Sequence, residues 1–291
     1  NNNYNSKSKY KLISKNYITF AYDTAESRPC FLFHTKGRGA VAIPANKAMT
    51  IRMFNPAHIA VLLSTLMLCI LGSHLLRRLP QRGGNRLMIG LALFNIGLYL
   101  LKIALICRQP WFNVWEYLPL DLCGVNLFVC LLAALLQKRA LYSFLYFIAC
   151  PAAALALLLP NACFLNCNLF EPVTLIFYLQ HSILAIFPLL LILAGRFRPQ
   201  LSSVWRNAGV FILSCAIMYG IDKLIFLLTG VRANYFFLVR SPGNPVLDYL
   251  WRLNPREFVY ALPCLLVLTV INMLMCLPFI SKSPHRHTIK A

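Results

Sequence analysis

Acidic residues are scarce in this chain: 8 Asp and Glu stand against 28 Lys and Arg in 291 residues, and charged residues of both signs make up only 12 %. With 59 % hydrophobic residues and a mean hydropathy of +0.65, too little polar surface remains to cover a soluble globule. Other absences narrow the function classes. No glycine-rich phosphate loop is present, which argues against nucleotide hydrolysis. The eleven cysteines include no two pairs at zinc-finger spacing, so no metal is expected. The first 52 residues lack the compact apolar stretch and small-residue cleavage site of a secretory signal. Nothing calls for a cofactor. The formal charge of +20 would suggest a nucleic-acid partner in a soluble protein; in a membrane protein it reports topology, and no nucleic acid is expected.

What the chain does have is apolar runs of membrane length. Roughly 20 mostly apolar residues span a hydrocarbon core, and seven stretches qualify: 57 to 76, 87 to 106, 118 to 136, 141 to 159, 172 to 194, 207 to 229 and 259 to 280. The expected fold is an all-α, seven-transmembrane-helix bundle over residues 53–280. Only Gln137, Lys138, Arg139 and Ala140 separate the third and fourth stretches, which predicts a tight antiparallel hairpin.

Segments 77 to 86, 137 to 140, 195 to 206 and the tail 281–291 hold twelve basic residues and no acid. The alternate loops carry Arg108, Arg232, Arg240, Arg252 and Arg256 mixed with Glu116, Glu171, Asp248 and Glu257. The positive-inside rule then places the C-terminus and its basic tail in the cytoplasm and the N-terminus outside. Residues 1–52 run against this, with nine basic residues against Asp23 and Glu26 on the outer side. They read as a disordered leader, an upstream extension rather than native structure; the other reading is a basic extracellular tail.

Polar side chains within spans are functional-site candidates because burying them in lipid is costly. At about 1.5 Å per residue, the strongest fall in the outer half of the bundle. Cys123 sits about 8 Å below the outer boundary with Asp121 nearer the surface, and His181 about 14 Å down beside Gln180. Asp222 and Lys223 lie within about 10 Å of that boundary and point about 100° apart. His58 lies just inside the first span, and Lys102 can snorkel to the interface. This shared depth predicts an outward-opening cavity, in which a Cys and a His from different helices form a thiolate and imidazole pair. Each residue also has a plainer reading: cysteine as small apolar filler, histidine as a helix-to-helix hydrogen-bond partner. Cys163 and Cys167 form a weak Cys-x3-Cys pair that would bridge in an oxidising compartment.

Three stretches carry a family resemblance: LPLDLC at 118 to 123, FYLQHSILAIFPL at 177 to 189, and ANYFFL at 233 to 238, followed by Pro242 and by NP at 254 to 255. Together, over roughly 53 to 280, they resemble the YwaF-like family of multi-pass membrane proteins, whose eukaryotic branch is described as a phospholipid acyltransferase with a catalytic Cys and His. The resemblance implies Cys123 and His181 as that pair. It also implies membrane lipids and an acyl donor, phospholipid or acyl-CoA, as partners. One departure is Asp121, where relatives often have His or Gln; an acid there opposes a nearby thiolate.

The expected chemistry is acyl transfer to a lysophospholipid through an acyl-cysteine, with His181 as base. Asn234 and Tyr235 would donate to the oxyanion or a lipid phosphate, and Asp222 would orient His181. The alternatives are a transporter or small-ligand binder using the same pocket, with Pro151, Pro188 and Pro263 permitting motion, and a structural or sensory membrane protein. The membrane is expected to be a bacterial plasma membrane, with a eukaryotic endomembrane as the alternative. The oligomeric state is unknown from sequence.

Overall fold

The computed structural model describes residues 49–280. Most of the leader and the whole basic tail, with the expectations placed on them, lie outside the described residues. The last residues of the segment read as leader do belong to the fold. The Ile51 N–H donates to the Cys167 carbonyl (2.8 Å), the Asn166 N–H donates to the Ile51 carbonyl (2.7 Å), and the Ile51 side chain is fully buried. Apart from the bridge between Thr50 and Asn168, the described residues are helical or irregular.

In chain order the helices are α1 (Pro56–Arg78), α2 (Gln81–Ile106), α3 (Leu122–Leu136), α4 (Arg139–Leu158), α5 (Pro172–Leu193), α6 (Ser202–Thr229), α7 (Pro245–Leu253) and α8 (Leu262–Ile280). Six, all but α3 and α7, are long and apolar enough to cross a membrane. The third expected span is therefore corrected. Its helix has 15 residues, about 22 Å at 1.5 Å per residue, short of a core about 30 Å thick. The physical cause is Asp121, whose side chain accepts from the Gly124 N–H and so starts the helix there rather than at Leu118. Cys123 consequently lies in the first turn of α3 instead of about 8 Å down a longer helix. The tight connection at Gln137 and Lys138 forms as expected, with Gln137 in the left-handed region at φ 52°.

Local chemistry sets the other helix ends. Asn55 caps α1 by accepting from the His58 N–H, and Pro56 follows at the first helical position. Pro80 closes the turn into α2. Gly230, at φ +74°, ends α6. Within α4, Pro151 has no N–H to give and crowds the preceding turn. The helix widens there to π geometry over Leu145–Ala149, with the Cys150 N–H donating five residues back to the Leu145 carbonyl.

The α5 helix is the axis of the bundle, packed against α1, α2, α3 and α4, with 72 % of its apolar window buried. The α6 and α8 helices pack on each other at the periphery, α6 resting on the π segment of α4, and the Tyr146 hydroxyl donates to the Met275 carbonyl of α8 (3.0 Å). Excluding the short α7, the helices alternate between two ends. At one end the Asn244 amide donates to the Leu159 carbonyl (2.7 Å) and the Tyr235 hydroxyl to the Trp115 carbonyl. This end carries every acidic residue of the described chain: Glu116, Asp121, Glu171, Asp222, Asp248 and Glu257. At the other, basic end Arg77 donates to the Leu193 carbonyl (2.5 Å) and Arg198 to that of Phe279 (2.6 Å).

Candidate functional site

Cys123 on α3 and His181 on α5 share one neighbourhood at the acidic end. Asp121 and Lys102 both act electrostatically on Cys123, and the same two groups act on His181. Three mutually packed helices, α2, α3 and α5, supply these residues. Both Cys123 and His181 are half-buried.

The sequence around Cys123 fixes its place. Asp121 spends one carboxylate oxygen on the Gly124 N–H at 2.5 Å. Gly124 is needed for the approach of the preceding Leu-Pro-Leu segment, because a Cβ there would lie 2.9 Å from the backbone carbons of Pro119. Cys123 is thus the second residue of a helix whose first-turn N–H groups face outward from the helix end, where anionic charge is favoured.

His181 is held from its own helix. Its Nδ1 lies 2.8 Å from the Phe177 carbonyl oxygen, a contact that requires the proton on Nδ1. Nε2 is left with its lone pair, and no described residue bonds it. The Phe177 ring covers the imidazole at a centroid distance of 4.3 Å, and Phe164, from the loop between α4 and α5, stacks on Phe177 at 3.8 Å. Aromatic rings therefore cover one side of His181. A cleft of about 350 Å³ lies at the basic end, between Gln81, Asn85, Arg139 and Arg196.

The remaining candidates are mostly engaged elsewhere. Asp222 is buried at 2 % exposure and accepts from the Tyr235 N–H through both oxygens (3.3 Å each). The charged neighbours that act on it are Lys223 and Glu257, while those that act on His181 are Asp121 and Lys102. The acid that accompanies His181 is thus Asp121. Asn234 organises its own loop, donating to the Arg240 carbonyl (2.8 Å) and accepting from the Val239 N–H (3.0 Å). The Tyr235 hydroxyl is taken by Trp115. His58 is fully buried; its Nδ1 accepts from the Phe54 N–H (3.0 Å) and its Nε2–H donates to the Leu157 carbonyl (2.7 Å), tying α1 to α4. Gln180 and Asn95 exchange side-chain to backbone contacts at 3.4 Å between α5 and α2.

Lys223 pairs with Glu257, which also accepts from the Tyr219 hydroxyl (3.0 Å). Burial works against ionisation of Glu257, and the Lys223 ammonium with the Tyr219 hydroxyl outweighs it, holding the carboxyl below its usual range. Cys163 is a free thiol and Cys167 is disulfide-bonded, so the two do not bridge one another.

Sequence reading missed two contributors. Lys102, expected to snorkel away, stands with its ammonium 4.7 Å from the Tyr99 ring centroid and acts on both Cys123 and His181. Its spacing of three from Tyr99 puts the two on one face of α2, a readable signal. The second is a row of buried polar atoms at the start of α5. Glu171 Oε1, Thr174 Oγ1 and the Tyr178 hydroxyl are buried with no hydrogen bond of full geometry among the described residues, although Thr174 lies near enough to act on the Glu171 carboxyl. Burial raises the Glu171 carboxyl to about 7. Among the described residues no three His, Cys, Asp or Glu side chains converge to hold a metal ion.

No curated protein and no solved structure gives a significant match to the chain. A family model does match, over residues 53–276, which takes in the apolar helices, Cys123, His181 and the capped Asp121. The match bears out the expected membership of a multi-pass membrane family, while the YwaF-like naming suggested by the three short stretches is not confirmed by it. With well over half of its length covered, the chain belongs to the TMEM164 family of multi-pass membrane proteins.

Proposed function

We propose that this protein is a membrane-embedded acyltransferase that moves a fatty acyl group between phospholipid and lysophospholipid through an acyl-cysteine on Cys123. The observation that supports the reading is that a half-buried thiol and a half-buried imidazole, on the packed helices α3 and α5, are acted on by the same two charges, Asp121 and Lys102, with the imidazole proton committed to Phe177.

In the first half-reaction His181 Nε2 takes the Cys123 proton and the sulfur attacks the ester carbonyl carbon. The C–S bond forms and the C–O bond breaks. The departing lysophospholipid oxygen takes the proton back from His181. In the second half-reaction His181 removes the proton of an acceptor hydroxyl, whose oxygen attacks the thioester; the C–S bond breaks and the thiolate recovers the proton. Lys102 stabilises the oxyanion or holds the lipid phosphate. Asp121 is turned toward its own helix end, where N–H groups share its charge. Acyl chains lie along exposed leucines of α2 such as Leu100 and Leu101.

The basic end faces the cytoplasm by the positive-inside rule, which puts Cys123 and His181 on the opposite leaflet. The test is acyl transfer from labelled phospholipid to lysophospholipid in proteoliposomes. Cys123→Ala that inserts normally is expected to lose transfer; full retention would overturn the reading.

A further inference from the structure

Two pieces of the acidic end lie outside the helices that are long enough to cross a membrane: segment 111–117 and α7. Both turn large apolar side chains outward. In α7, Val246, Tyr249 and Leu253 recur at i, i+3 and i+7, which puts them on one face, and Tyr249 and Leu253 are 63 and 64 % exposed. Arg252 flanks this face and is exposed as well. The packed side lies away from it: the Trp251 ring meets the buried Tyr260 ring edge-on at 4.9 Å, and Asp248 accepts from the Ser241 hydroxyl. A helix that faces water carries the reverse pattern, with polar residues outward and apolar ones against the core.

Segment 111–117 is built in the same way. Trp111, Val114 and Trp115 are exposed, while two buried tyrosines hold the backbone from beneath. The Tyr99 hydroxyl of α2 donates to the Tyr117 carbonyl, and the Tyr235 hydroxyl donates to the Trp115 carbonyl. Asn113 fixes the turn by accepting from the Trp115 N–H (3.1 Å). The strap that carries Tyr235 also holds the ground on which α7 rests: the Phe258 N–H donates to the Leu238 carbonyl (2.6 Å), and the Tyr260 hydroxyl donates to the Phe237 carbonyl. The two outward faces therefore belong to one platform. Val259 and Leu262, exposed at the start of α8, continue the apolar face of α7 onto the lipid-facing side of that span.

We infer that α7 and segment 111–117 form an interfacial collar, seated in the boundary between headgroups and acyl chains of the leaflet at the acidic end, so that the partner of this surface is the bilayer itself. Tryptophan and tyrosine collect at that level because their rings are apolar and their N–H and O–H tips are wet. A short amphipathic helix with an arginine at the edge of its apolar face lies in the same plane. Continuity with the lipid-facing side of α8 selects lipid over water or a second protein chain. The collar does not rest on the acyltransferase reading, and it sets the height at which the α3 entry, and with it Cys123, meets the leaflet.

The test uses the full chain carrying Trp205→Phe, reconstituted in phosphatidylcholine liposomes. Trp205 is the exposed tryptophan of the basic end, and its removal leaves Trp111, Trp115 and Trp251 as the emitting residues of the chain. Fluorescence quenching is compared for a lipid with a nitroxide on its headgroup, a lipid brominated near the end of its acyl chain, and iodide on both sides of the membrane. The headgroup nitroxide is expected to quench about two-fold more than either of the others. The emission gained with Tyr249→Trp in the same background is expected to follow the same order. Greatest quenching by iodide in either protein would place the surface in water, and greatest quenching by the brominated lipid would place it in the hydrocarbon. Emission that none of the three reaches would mean that another protein surface covers it. Each of these results would overturn the proposal.

Discussion

The Nδ1 atom of His181 lies 2.8 Å from the carbonyl oxygen of Phe177, one turn earlier on the same helix. The contact sets the tautomer, with the proton on Nδ1 and the lone pair on Nε2. A base for a thiol is thereby prepared without a carboxylate orienting it. His181→Ala is expected to reduce acyl transfer at least about 100-fold, the usual range for loss of a general base. His181→Phe, which preserves the ring packing under Phe177, is expected to be equally inactive. Steady-state rates for the two variants check this; activity recovered by the phenylalanine would mean the ring only packs.

Asp222 provides a second test, because the analogy with a catalytic triad makes it the expected partner of His181. The structure gives its carboxylate to the Tyr235 N–H instead. Asp222→Asn keeps an acceptor for that N–H and is expected to retain activity per folded molecule. Asp222→Leu leaves the N–H buried and unpaired, and is expected to cost about 1–3 kcal/mol of stability. Thermal unfolding and specific activity measured side by side separate the two effects.

The contrast between Asp222 and Asp121 shows what the sequence can tell. Span positions are written in the chain, since an apolar run of about 20 residues has few alternatives in lipid. Depth along each helix follows from the same count, and it is what brings Cys123 and His181 together on paper. The direction in which each helix faces its neighbours is not written there, and Asp222 fails as a partner for that reason. The π turn at Leu145–Ala149 depends on how Pro151 is accommodated within α4, so it too was hidden. The α7 helix, nine residues with Asp248 and Arg252 among its apolar ones, reads as loop because it is short and polar on one side. An Asp directly before an apolar run is a helix-start signal, but at Asp121 the apolar run that already begins at Leu118 masks it.

Gly124 tests the geometry of the Leu-Pro-Leu-Asp-Leu-Cys entry. A methyl group there would fall 2.9 Å from the Pro119 backbone, which cannot move aside as a side chain tip would. Gly124→Ala is expected to destabilise the protein by about 1–3 kcal/mol and to change the rate at which a lipid-like thiol probe labels Cys123. Labelling and unfolding temperature identical to wild type would show that the entry is more yielding than it stands.

Glu171 carries a pH dependence. Its carboxyl is raised by burial to about 7, above the value of about 4.3 expected in an unfolded chain. Between those values the folded protein binds more protons than the unfolded one, so stability falls as pH rises through this window and stays lower above about 7. Glu171→Gln is expected to flatten that part of the profile and to stabilise the protein at pH 8. Unfolding temperature recorded from pH 5 to 8 for both proteins checks the sign; a rise with pH that depends on Glu171 would contradict it.

The most direct test of the central claim is the mass of the peptide bearing Cys123 after brief exposure of the purified protein to a phospholipid with a labelled acyl chain and no acceptor. The account predicts a hydroxylamine-labile acyl adduct on Cys123 that is absent from Cys123→Ala, is much reduced in His181→Ala, and disappears when lysophospholipid is added. An unmodified Cys123 during turnover that continues, or an adduct on another residue that passes its acyl group to lysophospholipid, would contradict it.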